Sequence, residues 1–269
     1  MRRWSAAILV AMVTGACNGN SAVIPKGEEY EAAAMVLEAE GHGPVLCLGP
    51  ILASLPPGCG GPPVRNWHWA KAPQKETQAG VTWADVNLRG TWDGHAFTVT
   101  AVLDHPPAAG TPSSGASSFP PACPTPEAID PTASFEEWGD PGLQSDPDVA
   151  ALWVTYEPRA VNVVVRPGAG ARVKEDIRRT FPGPLCLVER DQKSRTELRT
   201  IQHRLTERLG SQFLSGAVDE VRGQVVVEVI VADPARQAEL DREFSAGVVR
   251  LTGRLQPVSR NRPPHGGGG

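Results

Sequence analysis

The chain has 269 residues, of which 41% are apolar and 21% charged, enough to bury the core of one large or two small domains; its 28 glycines and 26 prolines imply many turns. A formal charge of −4 argues against nucleic acid as the main partner.

The first residues, MRRWSAAILVAMVTGAC, place two arginines before an apolar run over residues 6–13 and small residues before Cys17, the layout of a bacterial export signal. The run is too short for a stable membrane span. Thr14-Gly15-Ala16-Cys17 is a loose lipoprotein processing box, with Thr14 where Leu or Val is usual, and predicts lipid attachment at Cys17; plain cleavage is the rival. With Arg2 and Arg3 removed, 24 basic residues face 30 acidic ones, a balance of −6 that also argues against an anionic lipid surface as the main partner.

After a tether over residues 18–30, residues 32–39 and 45–48 read as strands on either side of Gly41-His42-Gly43. Residues 44–71 are the densest stretch of the chain. Cys47 and Cys59 bracket a Pro/Gly-rich loop that a disulfide can close, and the stapled turn is expected to deliver Trp67 and Trp69 to one face of a following strand. The two tryptophans fit core positions better than a carbohydrate platform. Val86, Leu88 and Trp92 alternate with polar residues, Asp93-Gly94 predicts a two-residue hairpin turn, and Phe97, Val99 and Ala101 alternate on the return. Gly90 in mid-strand predicts a bulge or barrel corner. These elements predict a small, disulfide-stapled β-barrel, OB-like in kind, over residues 31–103.

Residues 106–131 are rich in Pro, Ser, Ala and Gly and predict a linker, placed within residues 104–151. Pairing Cys47 with Cys59 leaves Cys123 with Cys186, one of three possible pairings, and that bond fixes the loose segment onto the second domain. Val161, Val163 and Val165 predict a strand, Val173, Ile177 and Phe181 a helix, and residues 185–189 another strand. Ser194 and Glu197 form a capping box ahead of the stripe Leu198, Ile201, Leu205 and Leu209, stopped by Gly210. Residues 217–221 and 224–231 predict a hairpin, Asp233 and Pro234 start a third helix, and residues 248–255 make a last strand. The order β-α-β-α-β-β-α-β predicts an α+β two-layer sandwich over residues 152–258, three helices covering one face of a sheet, with a disordered tail over 259–269.

The run LCLG, then SLPPGCGGPPV and a tryptophan pair, with TWDGHAFTVT, GPLCLVER and VVVEVIVADP later, resembles a group of exported, lipoprotein-like proteins of high-GC Gram-positive bacteria. The resemblance implies export and a shared fold, and carries no active site.

Several motifs fall short of chemistry. Pro167-Gly168-Ala169-Gly170, with Glu189 at the end of the next strand, suggests a dinucleotide turn, but Val173 stands at the third glycine position. His42, Cys47, Cys59 and His68 lack the close Cys pair of a zinc site, so no metal and no cofactor is expected. No G-x-S-x-G or H-E-x-x-H occurs. The acids from Glu136 to Asp140, with Asp146 and Asp148, lack the alternation of a calcium loop and read as a solvated loop.

The expected function is therefore binding or structural: an envelope lipoprotein whose partner, an envelope protein or the cell wall, meets the mixed second face of the sheet through Arg166, Glu228, Arg250, Thr252 and Arg254. Two rival classes remain. One is a hydrolase-like enzyme with a site near His68, Asp93 and His95; the other is a module like protease propeptides and inhibitors, suggested by the topology of residues 217–255.

Overall fold

A computed structural model describes residues 27–107, 119–135, 138 and 142–258. The export leader, Cys17, most of the tether, the SSGASS centre of the Pro/Ser-rich segment, Glu136, Glu137, Gly139, Asp140 and the tail lie outside those residues.

The first part is a sheet that curls into a half-barrel. Its strands are β1 (Glu29–Ala39), β2 (Val45–Cys47), a small stapled hairpin of β3 (Ile51–Leu52) and β4 (Gly58–Cys59) beside it, then β5 (Val64–Arg65), β6 (Glu76–Gln78), β7 (Val81–Trp92) and β8 (Phe97–Leu103). β1 and β7 pair antiparallel along their whole length, from Glu29↔Thr91 to Ala39↔Val81. Period-two alternation puts Tyr30, Ala32 and Val36 with Ala84, Val86 and Leu88 on one face, where Leu46, Leu48, Trp92, Phe97 and Val99 join them in a single core. Glu31 and Arg89 face each other on the other side, Arg89 Nη2 donating to Glu31 Oε1 at 2.6 Å. The sheet bulges between Arg89 and Gly90 as the mid-strand glycine predicts, and the reason is contact: a Cβ on Gly90 would lie 2.2 Å from the Thr98 carbonyl oxygen and 2.8 Å from the Phe97 ring.

The hairpin turn differs from its expected form. Trp92 pairs with Phe97, so the loop has four residues rather than two, and the Asp93 carboxylate closes it by accepting from the N–H groups of His95 and Ala96 at 2.9 and 2.8 Å.

The second part is built twice from one pattern. Strands β9 (Val149–Tyr156) and β10 (Arg159–Val165), helix α1 (Gly170–Arg178) and strand β11 (Leu185–Glu189) form the first unit; helix α2 (Arg195–Leu209) leads to β12 (Phe213–Asp219), β13 (Gln224–Val229), α3 (Pro234–Phe244) and β14 (Val249–Gly253). In each unit an antiparallel hairpin is followed by a helix and a strand parallel to the hairpin's second strand. The registers superpose: Val161↔Leu185 answers to Val225↔Val249, and 225 − 161 and 249 − 185 both give 64. The same offset carries the bulged pair Val165↔Val149 onto Val229↔Phe213, and the bond from Val161 N–H to the Pro184 carbonyl onto that from Val225 N–H to Val248. Two ββαβ units thus stand where one sheet under three helices was expected. α1 packs with β9–β11 around Val161, Val163, Val165, Val173 and Ile177; α2 and α3 pack with β12–β14 around Val225, Val227, Leu205 and Leu240.

The helix signals hold for α2 and α3, while α1 stops at Arg178, short of Phe181. Ser194 and Glu197 form the reciprocal capping box, and Asp233 accepts from Ala235 N–H with Pro234 at the first position. Strand β9, which straddles the expected end of the linker at residue 151, escaped notice because its start, Val149 to Ala151, is buried on both faces and the strand shows no alternation.

What covers the second face of the first sheet is the described end of the Pro-rich segment. Ala122 N–H donates to Asn162 Oδ1 at 2.7 Å, Trp153 Nε1 donates to the Pro120 carbonyl at 3.1 Å, and Glu127 exchanges both backbone bonds with Leu185. The Cys123–Cys186 disulfide, with Cα atoms 5.5 Å apart, fixes this strap; Cys47–Cys59 closes the other expected bond at 5.7 Å.

The two parts share a core. A two-residue strand, β15 (Gln256–Pro257), pairs with Tyr30 and Glu31 of β1, and Ile230 and Leu255 are buried among the half-barrel side chains, with Leu214 and Val231 packed against them. Leu255→Ala removes a side chain that is 1% exposed at this junction and is expected to cost about 2–5 kcal/mol. Denaturation followed by the tryptophans of the half-barrel and by far-UV dichroism should then show one coincident, weakened transition.

Candidate functional site

The residues singled out by sequence fall into separate places. Trp67 and Trp69 follow β5 through Asn66, which adopts φ 58°, and no strand receives them: Trp69 opens a short 3₁₀ turn. Their rings meet edge to face with centroids 5.3 Å apart, both packed against the half-barrel core, and Trp69 Nε1 donates to Glu38. They are half-buried against the core, close to the role expected of large side chains in a small barrel, and are held by a bent backbone rather than by strand alternation.

His68, Asp93 and His95 are all exposed, and no hydrogen bond joins a side chain of one to a side chain of another. The Asp93 carboxylate is spent on its own turn and on Arg65, whose Nη1 lies 2.6 Å away. Backbone donation from Ala96 and His95, with Arg65 adding to it, lowers its pKa to about 2. A carboxylate so well satisfied is a poor proton acceptor at neutral pH.

The glycine turn Gly168-Ala169-Gly170 is also occupied. Glu189 reaches back from the end of β11, its two oxygens accepting from Gly168 N–H and Gly170 N–H at 3.0 Å each, so a side chain of the chain itself sits where a phosphate would sit in a dinucleotide turn. A Cβ on Gly170 would fall 2.5 Å from that carboxylate. Cys47 and Cys59 are spent in their disulfide, and His42 and His68 are exposed. Asp146 and Asp148 hold Arg172, which donates to Asp146 at 2.9 and 3.1 Å and to Asp148 at 2.8 Å.

The mixed sheet face is real over part of its length. Arg250 is exposed, Thr252 half-buried, and Glu228 accepts from Ser215 Oγ at 2.8 Å while Arg254 lies 3.8 Å from it. Toward β15 the same face carries Ile230 into the half-barrel core, so the face is most open at Arg250, with Glu228 and Arg254 half-buried beside it. Arg166 does not belong to that face. It pairs with Glu197 at the start of α2 and lines a cleft of about 800 Å³ between the two ββαβ units, with Arg190, Lys193 and Arg222. The charge there is largely compensated: Glu197 and Asp191 also line the cleft, and Arg222 Nη1 lies 2.7 Å from Asp219.

A second cleft, of about 470 Å³, lies where the half-barrel meets the second unit. Its walls come from the stapled loop (Pro50, Gly60), the β7–β8 turn (Trp92, His95), the entry to β12 (Gln212, Leu214) and Ile230. Sequence patterns do not reveal it because its parts are far apart in the chain; the only local signal is the crowding of glycine and proline from 49 to 63.

No protein-family model, curated protein or solved structure matches this chain.

Because the folded pKa of Asp93 lies below its ordinary value of 3.8, the stability it contributes is complete above about pH 4 and is lost as pH falls through about 2. Carboxyl NMR titration should place the Asp93 midpoint near 2, and Arg65→Ala should move it up only part of the way, the turn N–H groups supplying the rest. Glu189→Ala uncovers the start of α1 and is expected to cost about 1 kcal/mol in urea denaturation, with Glu189→Gln retaining part of the stability.

Proposed function

We propose that the chain is an exported envelope protein, tethered to the membrane by lipid at Cys17, that binds or scaffolds a partner rather than catalysing a reaction. The observation that carries this reading is covalent. Both cysteine pairs are closed, and each bond ties down a stretch with little regular structure, an arrangement suited to an oxidising compartment outside the cytoplasm. The leader ahead of Cys17 and the resemblance to exported proteins of high-GC Gram-positive bacteria point the same way.

A binding role is favoured over the enzyme reading because Asp93 is committed to a turn and an ion pair while His68 and His95 stand exposed. In this reading the half-barrel is an OB-like barrel left open on one side, and the two ββαβ units with their helices make up the two-layer α/β sandwich. The contact surface is the open end of the mixed sheet face, with Glu228, Arg250, Thr252 and Arg254 as its polar elements. The partner is an envelope protein or a cell-wall component.

Cys17→Ala should move the protein from the membrane fraction to the soluble one; if it stays wholly in the membrane, the anchor is elsewhere. Separately, Arg250→Glu with Arg254→Glu should abolish capture of the envelope partner by the otherwise intact protein, and unchanged capture removes this face from consideration.

A further inference from the structure

The stapled hairpin of β3 and β4 gathers exposed apolar side chains as no other described segment does. Among the described residues six large apolar side chains are exposed, and three of them, Ile51, Leu52 and Leu55, at 44%, 68% and 70%, stand on this one hairpin. Scattered leucines on a surface need no explanation, but a cluster marks a contact. Charge is absent around them as well: from Gly43 to Val64 no residue is Asp, Glu, Lys, Arg or His.

The hairpin holds these side chains out. Ile51 pairs with Cys59 and Leu52 with Gly58, and the Cys47–Cys59 bond fastens the base of the hairpin to β2. Its tip also asks for little hydration, the property a loop needs to leave water. Ser54 Oγ donates to the Pro56 carbonyl at 2.9 Å, and Pro56 and Pro57 have no N–H to satisfy.

The position of the hairpin and the size of its patch choose the occupant. Its two feet, Pro50 and Gly60, line the junction cleft with Trp92, and Thr91, the neighbour of Trp92, pairs with Glu29 at the start of β1. The hairpin therefore rises from the end of the half-barrel at which the chain enters. From Cys17 to Gly27 is 27 − 17 = 10 residues, at most ~36 Å of chain, so a lipid on Cys17 keeps this end of the molecule within that distance of a bilayer. A second copy of the chain fits less well, because three side chains fall well short of the ~800 Å² per partner that a stable interface covers.

We infer that the stapled hairpin seats the protein on the membrane: Ile51, Leu52 and Leu55 enter the boundary between headgroups and acyl chains beside the Cys17 anchor and hold the half-barrel against the bilayer. The inference rests on the anchor at Cys17 proposed above. The anchor supplies the affinity and the hairpin the orientation. An uncharged tip on an acidic chain draws nothing from anionic headgroups, so the contact is to hydrocarbon and is indifferent to salt.

The test takes the chain without its leader, residues 17–269, which keeps every described residue and has both disulfides closed, so that the Cys17 thiol alone is free. Cys17 is coupled to a maleimide lipid in phosphatidylcholine nanodiscs. The anchor is thus made chemically, and the result does not depend on whether a cell lipidates Cys17, which the Cys17→Ala fractionation reads separately. A nitroxide near the top of the acyl chains should broaden the methyl resonances of Ile51, Leu52 and Leu55 at least about five-fold more than those of Ile129, which is 73% exposed on the strap. Leu52→Asp with Leu55→Asp should bring the Ile51 methyls down to the level of Ile129, and about 0.5 M salt should leave the unaltered chain's broadening unchanged. The comparison with Ile129 needs no variant and stands if the double variant fails to close Cys47–Cys59. Equal broadening at Ile129 and the hairpin, broadening of Ile51 that survives in the folded double variant, or broadening that salt removes overturns the inference. In the first case, dimerisation of the uncoupled chain that the double variant abolishes identifies a second copy as what the hairpin meets.

Discussion

The half-barrel is a curled sheet that does not close on itself, and its open side must be covered by something apolar. Leu255 and Ile230, with Leu214 and Val231 packed around them, provide that cover from the far end of the chain. This one junction joins β1 to β15, which pair directly beside the seated Leu255. It also fixes the distance between the stapled loop and the second unit, and so creates the cleft between them. The half-barrel core therefore belongs to residues from both ends of the chain, and the long segment between its two contributions is free to fold as a separate pair of units.

Within that pair, burial is arranged differently in the two copies although the backbone is the same. The first sheet is covered on its second face by a strap with almost no regular structure, held by Asn162, by the Glu127–Leu185 bridge and by the Cys123–Cys186 bond. Asn162 is fully buried, and its amide nitrogen also donates to Thr155 Oγ1 and the Ala160 carbonyl, so every polar atom it takes out of water is returned a partner. The second sheet has no strap among the described residues; its corresponding face is apolar toward the half-barrel and polar at the far end. One template thus yields one sheet sealed on both sides and one with a surface to offer.

Much of this was legible in the sequence. Alternation located β7 and β8, the capping box and Pro234 located α2 and α3, and the short spacing of Cys47 and Cys59 gave one disulfide and left Cys123 with Cys186 for the other. The repeat was not legible, because the units share Val161/Val225, Val163/Val227, Val165/Val229, Arg172/Arg236 and Glu175/Glu239 among unlike neighbours, and because their helices bury different registers: Val173 and Ile177 in one, Leu240 and Phe244 in the other. The candidate site residues fared unevenly for a related reason. Arg166 shares strand parity with the polar face but not its sheet, and parity says nothing about which of two sheets a strand joins.

The register shift between the helices has a consequence at the margin of the second sheet. In α3 the position corresponding to Val173 is Gln237, and its amide donates to the Val249 carbonyl at 2.8 Å and accepts from Leu251 N–H at 2.9 Å. Those are the backbone groups that β14 turns away from β13, the ones another strand would use. Gln256 adds a bond to the Gly253 carbonyl. A duplicated unit with a bare outer strand is a template for further copies, by recruitment of a second molecule as readily as by growth of the gene. Here two glutamine side chains satisfy much of the row that such an addition would pair with, so the outer edge of β14 presents side chains rather than unpaired backbone groups.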